Sequence, residues 1–294
     1  MNACPFFGKC GGCRLDFSEA GYRAEKLKLL GDAKPDEIVW IEDKRRRAEF
    51  SFLDGEIGFF ARGTNDIVPI AVCPMLCEEI NAALRGLPTL PGTGGVLITK
   101  CDNGIAIDVN SSVRFYPPEL KDADAGRVTW NNRIVRDGNP LVFGRMFRPN
   151  GFLQPTKEGE NVLRIFTAMH ARGKIADLFC GIGTLTMGLD ADGFDIFDNG
   201  QGNIRNLFRN PLSAKELRKY DAIVLDPPRA GAKEQCIRIA KASAPVVYVS
   251  CNPKTWARDR KILENTGYKC VHLVAVDQFP GSTHWELASA FEKR

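Results

Sequence analysis

No apolar run in this sequence approaches the ~18 residues that a membrane-spanning helix requires, which leaves no helical membrane span and no membrane partner to expect. The start, Met1-Asn2-Ala3-Cys4-Pro5, lacks a basic segment followed by an apolar core, so no secretory signal is expected. Internal repeats and low-complexity tracts are absent too. Strong charge of either sign is missing: a net charge of +4 permits an anionic partner without demanding one. Without a secretory signal, the ten cysteines do not read as a disulfide scaffold. They read as reduced thiols, some metal-binding or catalytic, in a cytoplasmic protein.

What is present is a globular composition, 44% hydrophobic and 26% charged, in 294 residues, enough for two ordinary domains. A helical pattern over Ser18–Leu30 follows the first cysteines. From about residue 38 to 140, short strand-like runs at Ile38–Ile41, Glu49–Leu53, Glu56–Phe60, Val96–Lys100 and Gly104–Val109 alternate with Asp-Gly, Gly-Thr and Asn-Gly turn signals. A small antiparallel sheet domain is expected there. Beyond residue 150 the pattern changes. Apolar runs at Ile175–Phe179, Phe194–Phe197, Ala222–Leu225, Val246–Val249 and Val271–Val276 alternate with helical patterns at Glu160–Arg172, Lys233–Ala242 and Trp256–Thr266. Alternation of this kind indicates an α/β fold with a doubly wound, Rossmann-like parallel sheet. The expected division is 1–37 for the cysteine segment, 38–150 for the strand-rich domain and 151–294 for the α/β domain. The compact basic run Lys44-Arg45-Arg46-Arg47 reads either as a solvated loop or as a phosphate-contacting patch.

In open α/β sheets ligands bind outside the carboxyl ends of the strands, and three loops carry reactive groups there. Asp177-Leu178-Phe179-Cys180-Gly181-Ile182-Gly183-Thr184 closes the first strand and is expected to open a helix. The third glycine of a dinucleotide fingerprint would fall at Thr186, so NAD is disfavoured. The next strand ends in an acid, Asp198, of the kind that holds a ribose hydroxyl pair. Asp226-Pro227-Pro228-Arg229-Ala230-Gly231 and Ser250-Cys251-Asn252-Pro253 close two further strands, and Cys251 is a candidate nucleophile. Separately, Cys4, Cys10 and Cys13 with the distant Cys73 form a soft thiolate set that suits iron–sulfur or zinc. Cys101, Cys236 and Cys270 stand outside any motif and read as ordinary thiols.

Taken in order, these motifs resemble the S-adenosylmethionine-dependent RNA uracil-5 methyltransferases, which make 5-methyluridine in ribosomal and transfer RNA. The resemblance runs over nearly the whole chain. It adds Phe152-Leu153-Gln154 and Phe279-Pro280 with His284-Trp285-Glu286 to the segments above. It implies a 4Fe-4S cluster on Cys4, Cys10, Cys13 and Cys73, the last preferred to Cys77 because Cys-Pro after an apolar strand is the family's form. For S-adenosylmethionine it implies contacts from Gln154, Phe179, Thr184, Asp198, Asn206 and Asp226. Cys251 is then the nucleophile and Glu286 the base, acting on a uridine that is single-stranded or flipped out. Phe152, Trp256 and Trp285 could stack on bases or belong to the core. Arg45, Arg46 and Arg47 would add RNA affinity. The expected substrate is RNA, most simply 23S ribosomal RNA, with transfer RNA as the alternative. A monomer without an obligate protein partner is expected, in the form without an RNA-binding barrel ahead of the cysteines.

The chain departs from the family pattern in places. An aspartate at 198 replaces a glutamate. Gln154 is followed by Pro155-Thr156-Lys157 rather than by asparagines. Asp198 and Asn206 are separated by only seven residues, although a parallel crossover normally takes a dozen or more. The helix of that crossover is expected to be missing or reduced, leaving a short strand or an open sheet edge. Two other functions fit less well. A catalytically decayed iron–sulfur RNA-binding protein would not be expected to keep Cys251, Glu286, Asp226 and Gln154 together. An amino-group methyltransferase would have no role for Cys251.

Overall fold

The computed structural model describes residues 4–17, 20–197 and 202–293. The chain divides into two compact units. One comprises Met1–Arg23, Asp43–Thr156 and Pro280–Thr283, and the other Ala24–Glu42, Lys157–Phe279 and His284–Arg294. In chain order the first elements are a short helix α1 (Tyr22–Lys28) and strand β1 (Glu37–Trp40).

The first unit is built on a seven-stranded sheet. Its strands are β2 (Arg47–Leu53), β3 (Glu56–Phe60), β4 (Ile67–Pro69), β5 (Thr93–Cys101), β6 (Gly104–Ser111), β7 (Arg127–Trp130) and β8 (Arg133–Asp137), in the order β4-β3-β2-β5-β6-β7-β8. Strand β2 shows why it forms: Ala48, Phe50 and Phe52 point inward while Glu49 and Leu53 face outward. Asp54 and Gly55, both at positive φ (44° and 95°), turn it tightly into β3. Helix α2 (Glu78–Arg85) buries Ile80, Ala83 and Leu84 in the same core as Phe50, Phe52, Val96, Ile98 and Trp130. The sheet is antiparallel except for β6 and β7, which pair in parallel. A two-stranded ribbon, β9 (Leu141–Val142) and β10 (Arg145–Met146), completes the unit.

The second unit holds helix α3 (Lys157–His170) and an eight-stranded sheet. Its later strands are β11 (Ile175–Leu178), β12 (Ala191–Asp195), β13 (Gly202–Ile204), β14 (Ala222–Leu225), β15 (Val246–Ser250), β16 (Tyr268–Asp277) and β17 (Glu286–Lys293). Helices α4 (Ala214–Leu217), α5 (Lys233–Ile239) and α6 (Pro253–Glu264) lie between them. The order is β1-β16-β17-β15-β14-β11-β12-β13. The central strands read as continuous apolar runs because both faces are covered. Leu163 and Phe166 of α3 pack with Ile175, Val224, Val247 and Val249 on one face. Cys236, Ile239, Trp256 and Leu263 of α5 and α6 pack with Leu178, Ile223, Leu225 and Tyr248 on the other.

Three expectations are corrected here. The sheet is mixed rather than parallel, because β17 runs antiparallel to both β15 and β16. The run at Ile38–Ile41 does not join the small sheet: β1 pairs in parallel with β16, from Glu37 opposite Val274 to Trp40 opposite Asp277. No helix follows the glycine turn after β11. Residues 179–190 are turns, broken by Gly181, Gly183 and Gly188 at positive φ, and β12 begins only three residues beyond Gly188. The shortened second crossover leaves β13 as a three-residue edge strand beside β12. Large apolar side chains are exposed around it, Phe197 at 69% and Ile204 at 66%.

Candidate active site and cysteine cavity

Three adjacent strands of the second unit end together. β14 and β15 pair in parallel up to Leu225 opposite Tyr248, and β15 pairs with β17 up to Ser250 opposite Leu287. Asp226, Cys251 and Glu286 are the next residues outward on these strands. The sheet register therefore sets the expected nucleophile and the expected base side by side. Cys251 is half-buried and Glu286 buried. Burial first, then the Glu286 and Asp226 carboxyls, push the Cys251 thiol up to about 12, while the Arg229 guanidinium pulls it down. Glu286 is pushed well above the usual carboxyl range by burial and by Asp226, against the amide of Gln278, whose Nε2 donates to Oε2 at 3.1 Å. Asp226 is raised in turn by burial and by Asp177. Carboxyls this close in a low dielectric cannot all ionise.

The loops around Cys251 are held rigidly. Asn252 caps α6, its Oδ1 accepting from the Lys254 amide at 3.1 Å, with Pro253 in the first turn. Its Nδ2 donates to the Arg229 carbonyl at 3.0 Å, and Thr255 Oγ1 donates to the same oxygen at 3.2 Å. Gly231 must be glycine: its φ is +72°, and a Cβ would meet Asp259 Oδ2 at 2.6 Å. Buried Asp259 accepts from the Ala232 amide and the Tyr248 hydroxyl, each at 2.7 Å, which locks the Asp226–Gly231 loop onto α6.

The glycine turn offers a second set of groups. Phe179 adopts φ +61°, a left-handed conformation unusual for an aromatic residue. A Cβ on Gly181 would meet nothing within 4 Å, so the backbone there is open to a ligand. The Gly181 amide donates to Asp195 Oδ2 at 3.0 Å. Asp198 lies outside the described residues, and the acid at the end of β12 is Asp195, which the apolar pattern had placed inside the strand. Thr184 is buried. Thr186 donates to Asp177 Oδ2 at 2.6 Å. Asn206 Oδ1 accepts from the Phe208 and Arg209 amides at 3.1 and 3.2 Å. The Phe179 and Phe208 rings meet at a tilt of 52°, their centres 5.2 Å apart. Both rings line a cavity of about 150 Å³ with residues 230–235 and Arg258.

In the first unit, Cys4, Cys10, Cys13 and Cys73 line one cavity of about 60 Å³ together with Phe6, Phe59 and Arg45. Cys77 does not line it. Buried Asn81 fixes the Cys73 backbone, accepting from its amide at 2.9 Å and donating to its carbonyl at 3.1 Å. Gly281 approaches so closely that a Cβ would meet Cys13 Sγ at 2.8 Å. Burial, reinforced by Cys73, Cys10 and Cys4, pushes the Cys13 thiol up to about 12. Among the described residues no three His, Cys, Asp or Glu side chains are drawn together tightly enough for a single ion. Gln154 belongs to this unit and is buried.

The basic run departs from its phosphate-patch reading. Arg46 is buried, its Nε donating to the Gln154 carbonyl at 3.0 Å, and Arg45 faces the cysteine cavity. Arg47 sits over the exposed Phe152 ring at 5.6 Å. Trp256 and Trp285 are core residues, their indole N–H groups donating to Ser289 Oγ and the Lys26 carbonyl, each at 2.9 Å. Sequence reasoning missed Gln278 and Lys26. The available signals were a polar residue closing the apolar run of β16 and a lysine inside a helical pattern.

The tRNA (uracil-5-)-methyltransferase family pattern matches residues 197–294. An uncharacterized RNA methyltransferase of Brucella suis is 32% identical over 99% of this chain and 84% of its own length. That alignment runs over 349 positions, more than the chain's length, so the relative carries extra residues within the matched span. The 23S rRNA (uracil(1939)-C(5))-methyltransferase of Klebsiella pneumoniae is 27% identical over 99% of this chain and 81% of its own. The fold is similar to that of the Pyrococcus abyssi tRNA (uracil-54, C5)-methyltransferase bound to S-adenosyl-L-homocysteine, with a TM-score of 0.69, 23% identity, and coverage of 92% of this chain and 81% of that one. No helix of the described residues is long and apolar enough to cross a membrane. The chain belongs to the S-adenosylmethionine-dependent RNA uracil-5 methyltransferase family.

Proposed function

We propose that this methyltransferase acts on a uridine of ribosomal RNA, most simply 23S, through a covalent adduct on Cys251. The observation that carries the reading is the convergence of Cys251, Glu286 and Asp226 at the ends of three neighbouring strands. The ribosomal assignment is supported by the Klebsiella relative, which matches nearly the whole chain and is named for 23S rRNA.

Carbon 5 of uracil is a weak nucleophile. The Cys251 thiolate adds to carbon 6, and the electron pair of the 5,6 double bond moves into the ring enolate. Carbon 5 then takes the methyl carbon, and the carbon–sulfur bond of the donor breaks with its pair left on sulfur. Glu286 removes the carbon 5 proton, the double bond re-forms, and Cys251 leaves as thiolate. Arg229, whose charge favours the thiolate, supports the first step. S-Adenosylmethionine supplies the activated methyl group. Phe179, Thr184, Asp226, Asp198, Gln154 and the amide of Asn206 are proposed as its contacts, and the open backbone at Gly181 is the support for placing it at this turn.

The cysteine cavity fits a 4Fe-4S cluster. Four soft thiols surround a space of about 60 Å³, whereas four thiolates on a single zinc ion close directly around it. Cys4, Cys10, Cys13 and Cys73 would hold the cluster, which would cross-link residues 1–37 to the Cys73 loop. Residues 38–150 are proposed as the RNA-facing part and 151–294 as the methyl-transferring part.

The test uses the full chain with labelled S-adenosylmethionine and unmodified 23S rRNA, 16S rRNA or bulk tRNA. Digestion to nucleosides should yield 5-methyluridine from the 23S sample. Product from tRNA alone would overturn the ribosomal assignment, and product from no RNA would overturn turnover itself.

A further inference from the structure

We propose that Gln278 is a positioning residue for Glu286: its side-chain amide holds the carboxylate ready to accept the carbon 5 proton. The inference rests on the reading of Glu286 as the base.

Gln278 directly follows β16, where Val276 is paired with Glu286 across the ladder. It is fully buried, and Nε2 donates to Glu286 Oε2 at 3.1 Å. A buried amide is costly unless it is hydrogen-bonded, so a purely packing role at this position would be met better by leucine or methionine. Glutamine has a further property that few side chains share. Its nitrogen donates to a carboxylate, and its oxygen accepts from a carboxylic acid. A base that gains and then releases a proton in each cycle passes through both states, and Gln278 can serve each. Lysine or arginine at this position would favour only the ionised state.

The segment carrying Gln278 is itself anchored. Lys26 of α1 is fully buried, pairs with Asp277 at 2.9 Å, and donates to the Phe279 carbonyl at 3.0 Å. The residues on both sides of Gln278 are thereby fixed to one ammonium group. The Trp285 indole donates to the Lys26 carbonyl at 2.9 Å, which ties the residue before Glu286 to the same helix.

The charged groups facing Glu286 come from each neighbouring strand end. Asp226 follows β14, and Cys251 follows β15 with Arg229 close by. Asp177 of β11 acts on Asp226. Burial and Asp226 favour protonated Glu286, whereas the Gln278 amide favours the ionised form. Loss of that amide therefore moves the acidic limb of proton removal to higher pH. A hydrogen bond to a charged group corresponds to a shift of about one pH unit, or about tenfold in rate on that limb.

The experiment compares wild type, Gln278→Met, Gln278→Glu and Glu286→Gln on RNA carrying [5-³H]uridine, with ¹⁴C-methyl S-adenosylmethionine. Methyl incorporation into the Cys251–RNA adduct and tritium release are followed from pH 5.5 to 9. In both Gln278 variants, methyl incorporation should stay near wild type while tritium release slows about tenfold, its acidic limb moves upward, and methylated adduct accumulates. Equal slowing of both steps with an unmoved limb, in whichever Gln278 variant folds, would overturn the proposal. Glu286→Gln separates the two readings. If it releases tritium normally, Glu286 is not the base. If it stalls as methylated adduct while the Gln278 variants do not, only the role of Gln278 fails.

Discussion

Asn252 donates its side-chain amide to the Arg229 carbonyl at 3.0 Å, joining the loop that carries Cys251 to the loop that carries Asp226. The same side chain caps α6 through its oxygen. Asn252→Asp keeps the cap and loses the tie, and Asn252→Ala loses both. The alanine variant should lose about 1 kcal/mol in denaturant unfolding. The aspartate variant keeps the cap but sets a carboxylate oxygen against the Arg229 carbonyl, and it should turn over more slowly. Equal turnover in aspartate and wild type would show that the tie has no part in placing Cys251.

The Cys251 thiol is pushed up to about 12, chiefly by burial. The free enzyme is therefore almost entirely thiol at neutral pH, and its thiolate fraction rises with pH. Alkylation of Cys251 by iodoacetamide, read by peptide mass spectrometry, should be slow at pH 7 and climb steadily through pH 9. A plateau reached by pH 8 would contradict this. Cys251→Ala should leave the unfolding midpoint nearly unchanged and abolish the adduct with 5-fluorouracil-containing RNA.

Lys26 and Asp277 form an ion pair that is buried on both sides. Lys26→Met takes this ammonium away from the buried Asp277 carboxylate, and breaking a buried ion pair by removing one member costs about 3–5 kcal/mol. Adding Asp277→Leu to Lys26→Met should recover most of that stability in urea unfolding. Additive losses in the double variant would show that the pair is not coupled.

Asp177 is raised from 3.8 to about 7 by burial, partly offset by the Thr186 hydroxyl. The folded state then holds a proton that the unfolded state has released, so this group destabilises the fold increasingly as pH rises from about 4 to 7. Asp177→Asn should remove that slope, gaining stability relative to wild type at pH 7.5 and little at pH 4. Urea midpoints across this range check it, and parallel curves would refute it.

Much of the site was legible because it depends on local signals. Runs such as Ala222–Leu225 and Val246–Ser250 are apolar on both faces, so their ends, and therefore Asp226 and Cys251, could be located without coordinates. The fate of the glycine turn was less legible. Gly188 at φ +82° and the early start of β12 decide against a helix, and neither is strong alone. Pairing was hardest. Glu37–Trp40 looks like a strand, but nothing near it in sequence says that its partner is Val274–Asp277. Lys26 was obscure for the same reason, since its counterion is 251 residues away.

That distance has a bearing on biosynthesis. Strand β1 and Lys26 leave the ribosome long before their partners β16 and Asp277. Strand β1 therefore cannot take its place in the larger sheet until β16 has been made. Until then the nascent chain holds an apolar β1 and an unneutralised lysine in readiness, and closing the loop carries the entropic cost of a high contact order. The β16–β17 hairpin that brings Glu286 beside Cys251 also supplies the partner strand of β1, so seating β1 and placing Glu286 depend on the same segment.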